Sequence, residues 1–246
     1  MDIIISSATH RSGSTLLQRI FNVRKKTLIW GEQDGLITFF HKIYRNLRHY
    51  SVNLKLQHQN YFNNDEDPNY WIACMNPELE FVENAITNSL KVLLESLYEQ
   101  YRGDHDIIGF KEVRYGENEL NLFRKCYPNT KIILLVRNPI NVWKSMLGAG
   151  LGNNVANFTK KWNKNASYYL QLQKKDPNSI LLKYEDIVNK DEKTLNIISE
   201  LGKISLNEID TVLSKKISST PRPITDADKK FIINQCKENM QQYGYL

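Results

Sequence analysis

Cysteine is scarce in this chain of 246 residues and badly placed for chemistry: Cys74, Cys126 and Cys236 stand far apart, with no C-x-x-C pair and no histidine at metal-ligand spacing. A disulfide framework and a metal centre are both excluded by that pattern, and reduced, mostly buried thiols are expected. Proline and glycine are also sparse, at 7 and 11. No repeat, low-complexity tract or linker marks a boundary, so residues 1–246 are expected to form a single domain. No apolar run approaches the roughly 20 residues of a membrane span, and no basic segment precedes an apolar one at the start, where a secretory leader would show. A cytoplasmic protein without a membrane partner is the expectation. Charge of one sign is only mildly in excess, at +6, and the 33 Lys and Arg residues are spread along the chain. A nucleic-acid binder gathers its cations on one face; scattered ones argue for a smaller anionic ligand.

What is present begins at the N-terminus. Three isoleucines, Ile3 to Ile5, form a short apolar run suited to a strand buried on both faces. Small and hydroxylated residues follow around Gly13, and then Leu16, Leu17, Ile20 and Phe21 recur at helical spacing. Strand, loop and helix in direct succession leave unpaired backbone N–H groups and the positive end of a helix dipole aimed at one spot, which suits phosphate or sulfate. A Walker loop requires G-x-x-x-x-G-K-[ST], but Ser14 follows Gly13 where the lysine should be. That demotes a nucleotide kinase. The anion ligands on offer are Arg11, Ser12, Gly13, Ser14, Thr15 and Leu16, with a cation before the glycine and hydroxyls around it.

Further along, Thr27 to Trp30 reads as a second strand, and Glu32 lies just past its end, where open parallel sheets bind ligands. Glu32 is either a chemical group or a polar turn residue. Residues 36–75 are rich in aromatics, His and Asn, helical to about Arg48 and loop-like beyond. The long irregular stretch is expected to be an acceptor-binding lid, and its acids Asp65, Glu66 and Asp67 either favour a cationic acceptor or form a solvated turn. Asn76-Pro77-Glu78 reads as a helix start, followed by an apolar stripe from Leu79 to Tyr101 that Gly103 ends. A third strand from Ile107 leaves Lys111 and Arg114 at its carboxyl end; Lys111 either snorkels to solvent or joins the anion loop.

The clearest buried strand, Lys131 to Val136, runs into Arg137-Asn138-Pro139, with Ser145 eight residues after the arginine. Arg137 at a strand end and Ser145 about two turns into the next helix can face one phosphate where strand and helix pack together. Amphipathic residues 158–172, a fifth strand ending at Tyr184, two short helices near 191–201 and 206–214, and a last helix from about Asp226 complete the chain. Before that last helix lies a polar, proline-stiffened loop with Ser219 and Arg222, either a nucleotide clamp or a plain linker.

Several of these strings resemble sulfotransferases that use 3′-phosphoadenosine 5′-phosphosulfate (PAPS). His10-Arg11-Ser12-Gly13-Ser14-Thr15 is similar to their 5′-phosphosulfate loop, P-[KR]-[ST]-G-[ST]-T, with His10 in place of the proline. Gly31-Glu32 resembles the Gly-Glu pair whose Glu is the general base in some branches. G-F-K-E-V-R-Y at 109–115 resembles the bacterial NodH-like and tyrosylprotein groups, whose matching lysine contacts the transferring group. Arg137 to Ser145 resembles the 3′-phosphate block, with Asn138 for the usual Asp, and Tyr184-Glu185-Asp186-Ile187 the family's Y-E-[DE]-[LI]. The resemblance implies a three-layer, P-loop-like α/β fold with a central, mostly parallel sheet of about five strands. It further implies sulfuryl transfer from PAPS to a hydroxyl or amine of a small metabolite or glycan, releasing 3′-phosphoadenosine 5′-phosphate (PAP) without a metal.

On that resemblance Glu32, Lys111 and Arg11 are the catalytic candidates. Arg11 to Leu16, Arg137, Ser145, Tyr184, Ser219 and Arg222 are the nucleotide ligands. A soluble bacterial enzyme, monomer or homodimer, is expected. The rival readings are a degenerate-loop nucleotide kinase and a non-catalytic nucleotide or nucleic-acid binder. His41 and His10 are the alternative bases.

Overall fold

The structure, a computed structural model, describes residues 1–63, 69, 72–215 and 222–246. Its centre is a parallel sheet of β1 (Ile3–Ser7), β2 (Thr27–Trp30), β3 (Ile107–Glu112), β4 (Lys131–Val136) and β5 (Ser179–Lys183), in the order β2-β3-β1-β4-β5. Every pairing is parallel, and β1 bonds both β3 and β4. Burial on both faces explains the unbroken apolar runs: every residue of β1 and β3 is buried.

Eleven helices flank the sheet: α1 (Ser14–Phe21), α2 (Leu36–Asn53), α3 (Lys55–Phe62), α4 (Leu79–Tyr98), α5 (Glu117–Cys126), α6 (Pro139–Gly148), α7 (Val155–Lys175), α8 (Tyr184–Val188), α9 (Glu192–Gly202), α10 (Leu206–Leu213) and α11 (Asp226–Gln242), counted among the described residues. The side chains of β1 alternate between two cores. Ile4 joins a cluster with residues of α4, α5, α6, α7 and α11, while Ile3 and Ile5 join another with residues of α1, α9 and α10. The result is a three-layer α/β architecture of the expected P-loop-like kind. Because α1 leaves β1 on one face while α5 and α6, which follow β3 and β4, pack on the other, a crevice opens beyond the carboxyl end of β1.

Two expectations fail here. Residues 49–62 are helical, continuing α2 to Asn53 and adding α3 after a break at Leu54. Their helicity left little trace in the sequence because α3 buries no side chain and the end of α2, residues 49–53, buries only Ser51, so no apolar stripe is written there. Asp65, Glu66 and Asp67 lie outside the described residues. The helix expected at Asn76-Pro77 begins instead at Leu79, with Glu78 at its cap in extended conformation. Its buried stripe is Val82, Ile86, Leu90, Leu94 and Tyr98, whereas Leu97 and Tyr101 are exposed. Cys126 and Cys236 are buried free thiols and Cys74 is partly exposed.

Candidate active site

The loop between β1 and α1 is built on two left-handed residues, Arg11 (φ 64) and Gly13 (φ 97). Gly13 is required twice over: a side chain would meet a positive φ, and a Cβ would sit 2.1 Å from the Tyr184 ring. The Ser12 hydroxyl is fully buried and donates to the Thr9 carbonyl at 2.9 Å, bracing the loop from inside. The Ser12 hydroxyl is therefore committed inside the loop. Ser14 is buried, Thr15 is exposed, and the Leu16 side chain is in the core. The first backbone bond of the helix runs from Leu17 N–H to the Gly13 carbonyl, so the N–H groups of Ser14, Thr15 and Leu16 have no helical acceptor.

The β4 end closes on this loop. Asn138 caps α6, its side chain accepting from Ile140 N–H at 3.0 Å, so Asn serves where an Asp would. Arg137 donates from Nη1 to the Arg11 carbonyl at 3.0 Å, and its guanidinium lies 4.1 Å from the Tyr184 ring centroid. Its Nε is buried without a hydrogen-bond partner among the described residues. Arg11 Nε in turn donates to Ser145 Oγ at 3.1 Å. The loop after β1 and the block after β4 thus form one continuous surface. Arg222 is exposed, and its backbone N–H donates to the Lys144 carbonyl at 3.3 Å, beside Ser145. Ser219 lies outside the described residues.

On the β3 side, Lys111 Nζ donates to Glu32 Oε1 at 2.6 Å and Arg114 Nη1 to Glu32 Oε2 at 3.0 Å. The Lys111 side chain is only 7 % exposed, so it is an inward-facing group and does not snorkel. Register explains its place: Lys111 pairs with Ile5, two residues before β1 opens into the loop. Burial alone would raise the Glu32 pKa, but the hydrogen bonds and charges of Lys111 and Arg114 outweigh it and hold the carboxyl below its ordinary value. Glu32 is therefore ionised at neutral pH and able to accept a proton.

The family model that matches this chain, over residues 3–208, is that of the sulfotransferase family. The chain belongs to that family. Solved structures share the fold. The sulfotransferase domain of the Synechococcus PCC 7002 olefin synthase is 18 % identical with a TM-score of 0.61, the match covering 100 % of this chain and 95 % of that one. The sulfotransferase domain from the curacin biosynthetic pathway is 18 % identical with a TM-score of 0.51, covering 96 % and 97 %. A sulfotransferase from Mycobacterium avium is 10 % identical with a TM-score of 0.53, covering 98 % and 76 %. No curated protein sequence matches.

Several residues of this sulfotransferase that shape the crevice carried no signal in the sequence. Glu112 is fully buried and accepts from the backbone N–H groups of Gly35 at 2.9 Å, Gln33 at 3.3 Å and Val113 at 2.8 Å, and from Arg114 at 2.8 Å. It anchors the turn that carries Glu32. Helix α7 ties together three strand ends. Asn165 donates to the Ala8 carbonyl at 2.8 Å, Trp162 to the Arg137 carbonyl at 3.0 Å, and Tyr169 to the Tyr115 carbonyl at 3.3 Å. Each of these donors sits on the one helix face presented to the sheet, four or three residues from the next, and their polar roles are invisible without the partner carbonyls.

Of the two candidate histidines, His10 and His41, the former lies within electrostatic range of Glu32. Burial first, then Lys161 and Arg114, push its pKa below the ordinary value against the pull of Glu32 and Glu112. His41 lines a separate cavity of about 260 Å³ with Tyr44, Glu83 and Lys125. Among the described residues no helix is long and apolar enough to cross a membrane, and no group of three His, Cys, Asp or Glu side chains is placed to hold a metal ion.

Proposed function

We propose that this sulfotransferase takes its sulfuryl group from PAPS and passes it to a hydroxyl or amine of a small metabolite or glycan. The observation that carries the reading is the contact of Arg11 with Ser145, which joins the loop after β1 to the block after β4 in one crevice. A donor with anions at both its 5′ and 3′ positions needs two such neighbouring cradles. The N–H groups of Ser14, Thr15 and Leu16, with Arg11, hold the 5′-phosphosulfate. Arg137 and Ser145 hold the 3′-phosphate, with Tyr184 as the platform under the guanidinium. Arg222 closes that end from beside Lys144, and Ser219 is kept as a further nucleotide ligand on its sequence alone. The chain acts as one domain.

In the reaction, the acceptor oxygen forms a bond to sulfur as the bond from sulfur to the bridging oxygen breaks. The acceptor proton passes to Glu32, and the electron pair of the broken bond stays on the 5′-phosphate of PAP. Lys111 bonds Glu32 in the free protein. With donor present its ammonium turns to the bridging oxygen, where negative charge develops. That move also frees Glu32 from its strongest charge partner and raises its basicity when the acceptor proton must be taken. Sulfuryl transfer needs no metal in this scheme, since Arg11, Lys111 and the loop N–H groups supply the positive charge.

Calorimetry with PAP, AMP and magnesium ATP tests the reading. Micromolar PAP binding with much weaker AMP and ATP is expected. Equal binding of magnesium ATP would sink it in favour of a kinase, and binding to DNA with a steep salt dependence would favour a nucleic-acid binder.

A further inference from the structure

The cations around the crevice are nearly all engaged. Arg11 bonds Ser145, Arg137 bonds the Arg11 carbonyl, Lys111 bonds Glu32, and Arg114 is shared among Glu32, Asp34 and Glu112. Lys161, unlike these four, has no hydrogen-bond or ion-pair partner among the described residues. It lies on α7 four residues before Asn165, on the face that reaches the Ala8 carbonyl, and is partly buried. No carboxylate comes within ion-pair distance of it among the described residues. The two acids in its electrostatic range are already committed. Glu112 accepts from the backbone N–H groups of Gln33 and Gly35 in the turn of Glu32 and from that of Val113, and the Glu119 oxygens accept from Thr38 Oγ1 and Gly116 N–H. Burial and the neighbouring Arg114 accordingly push the Lys161 pKa below its ordinary value, against Glu112 and Glu119. A partly buried cation without a counter-charge is costly, and a bound anion removes that cost.

The side of the crevice decides which ligand supplies the anion. Lys161 lies one turn before Asn165, whose amide reaches the Ala8 carbonyl just past β1, and the charged groups in its own range, Arg114, Glu112 and Glu119, stand on β3 or in the segment after it, where Arg114 bonds Glu32. The phosphate cradle of Arg137 and Ser145 lies on the other side, against β4 and α6. In-line transfer brings the acceptor in opposite the leaving 5′-phosphate, hence along the Glu32 side. We propose that Lys161 binds an anionic group of the acceptor, a carboxylate or a phosphate, and so selects acceptors that carry negative charge near the hydroxyl or amine to be sulfated. This deepens the reading above and rests on it.

The test uses labelled PAPS and acceptors in matched pairs, hydroxy acids against their primary amides and sugar phosphates against the free sugars. At limiting acceptor, the unsubstituted enzyme should favour the anionic member by about tenfold or more, the scale expected for one partner of a partly buried charge pair. Lys161→Gln should shrink that ratio to about twofold or less, Lys161→Arg should keep it, and Lys161→Glu should invert it. The class of pair with the larger ratio identifies the anion as carboxylate or phosphate. Equal turnover of both members by the unsubstituted enzyme, or a ratio undiminished in Lys161→Gln, overturns the proposal. So does a calorimetric loss of PAP affinity in Lys161→Gln with the acceptor ratio intact, since Lys161 would then serve the donor. Failure of the unsubstituted enzyme to bind PAP is a separate result, and counts against the donor reading itself.

Discussion

Arg11 Nε donates to Ser145 Oγ across 134 positions of sequence, at 3.1 Å. The contact welds a loop that follows the first strand to a helix that follows the fourth. Because β1 and β4 are hydrogen-bonded neighbours in register from Ile3 with Lys131 to Ser7 with Leu135, their carboxyl ends emerge side by side. The loop after β1 and the block after β4 are then adjacent by construction.

Removing Arg137 should weaken the donor and leave chemistry largely intact. For Arg137→Ala, a loss of about 2–3 kcal/mol in PAP binding is expected, the worth of charged hydrogen bonds, which is roughly 30- to 150-fold in affinity. Arg137→Lys should recover only a small part, because a lysine lacks the guanidinium that lies over the Tyr184 ring. Titration calorimetry with PAP decides it, and unaltered affinity in Arg137→Ala would remove Arg137 from the site.

Glu32→Gln should lower turnover by ~10²–10⁴-fold, the usual worth of a general base, while PAP affinity stays close to that of the parent. The pH profile carries the sign. Because Lys111 and Arg114 hold the Glu32 carboxyl below its ordinary value, the acid limb of kcat/KM for the free enzyme should fall below the usual carboxylate range, with a plateau through neutrality. Substantial activity in Glu32→Gln would transfer the base to His10, the histidine in range of Glu32.

Tyr184 separates ring from hydroxyl. The ring packs on Gly13 and under Arg137, so Tyr184→Phe should bind PAP as the parent does. Tyr184→Ala should lose about 1–2 kcal/mol, as expected for a cation–π platform and the packing it supplies. Equal affinities in the two variants would show that the ring has no part in holding Arg137.

Acid stability offers a check away from the crevice. Glu99 bonds Arg102 and the N-terminal amine, and its pKa is lowered to about 2, with Arg102 the main cause. A depressed carboxyl pKa stabilises the fold above the unfolded value and loses that contribution as pH falls through the folded one. Glu99→Gln should therefore lower Tm at pH 7 and make almost no difference near pH 2. Thermal scans at the two pH values read this directly, and a pH-independent offset would contradict the ion-pair account.

How much could be read without coordinates varies along the chain for physical reasons. The five strands were legible because a strand buried on both faces must be apolar throughout, as in Ile3 to Ile5 and Ile132 to Val136. The phosphate loop was legible because its conformation restricts residue type, with Gly13 at φ 97. Helix α3 was not, since it buries nothing and leaves no periodic trace. Glu112 was not, because a carboxylate at a strand end gives no sign that three backbone N–H groups will converge on it.

By itself the sequence determined the local structure: which segments are strands, where a glycine-containing loop opens into a helix, and that Arg137 stands at a strand end with Ser145 about two turns into the next helix. Those features are set by neighbours within a few residues, where propensity, capping and periodicity act. Only the tertiary structure decided that Lys111 faces inward onto Glu32, that Tyr184 lies between Gly13 and Arg137, and that Lys161 comes within electrostatic range of Arg114 and Glu112. Those relations depend on strand order and on the packing of α7 across the sheet ends. Distant backbone carbonyls and charges settle them, and no short stretch of sequence encodes where such groups will meet.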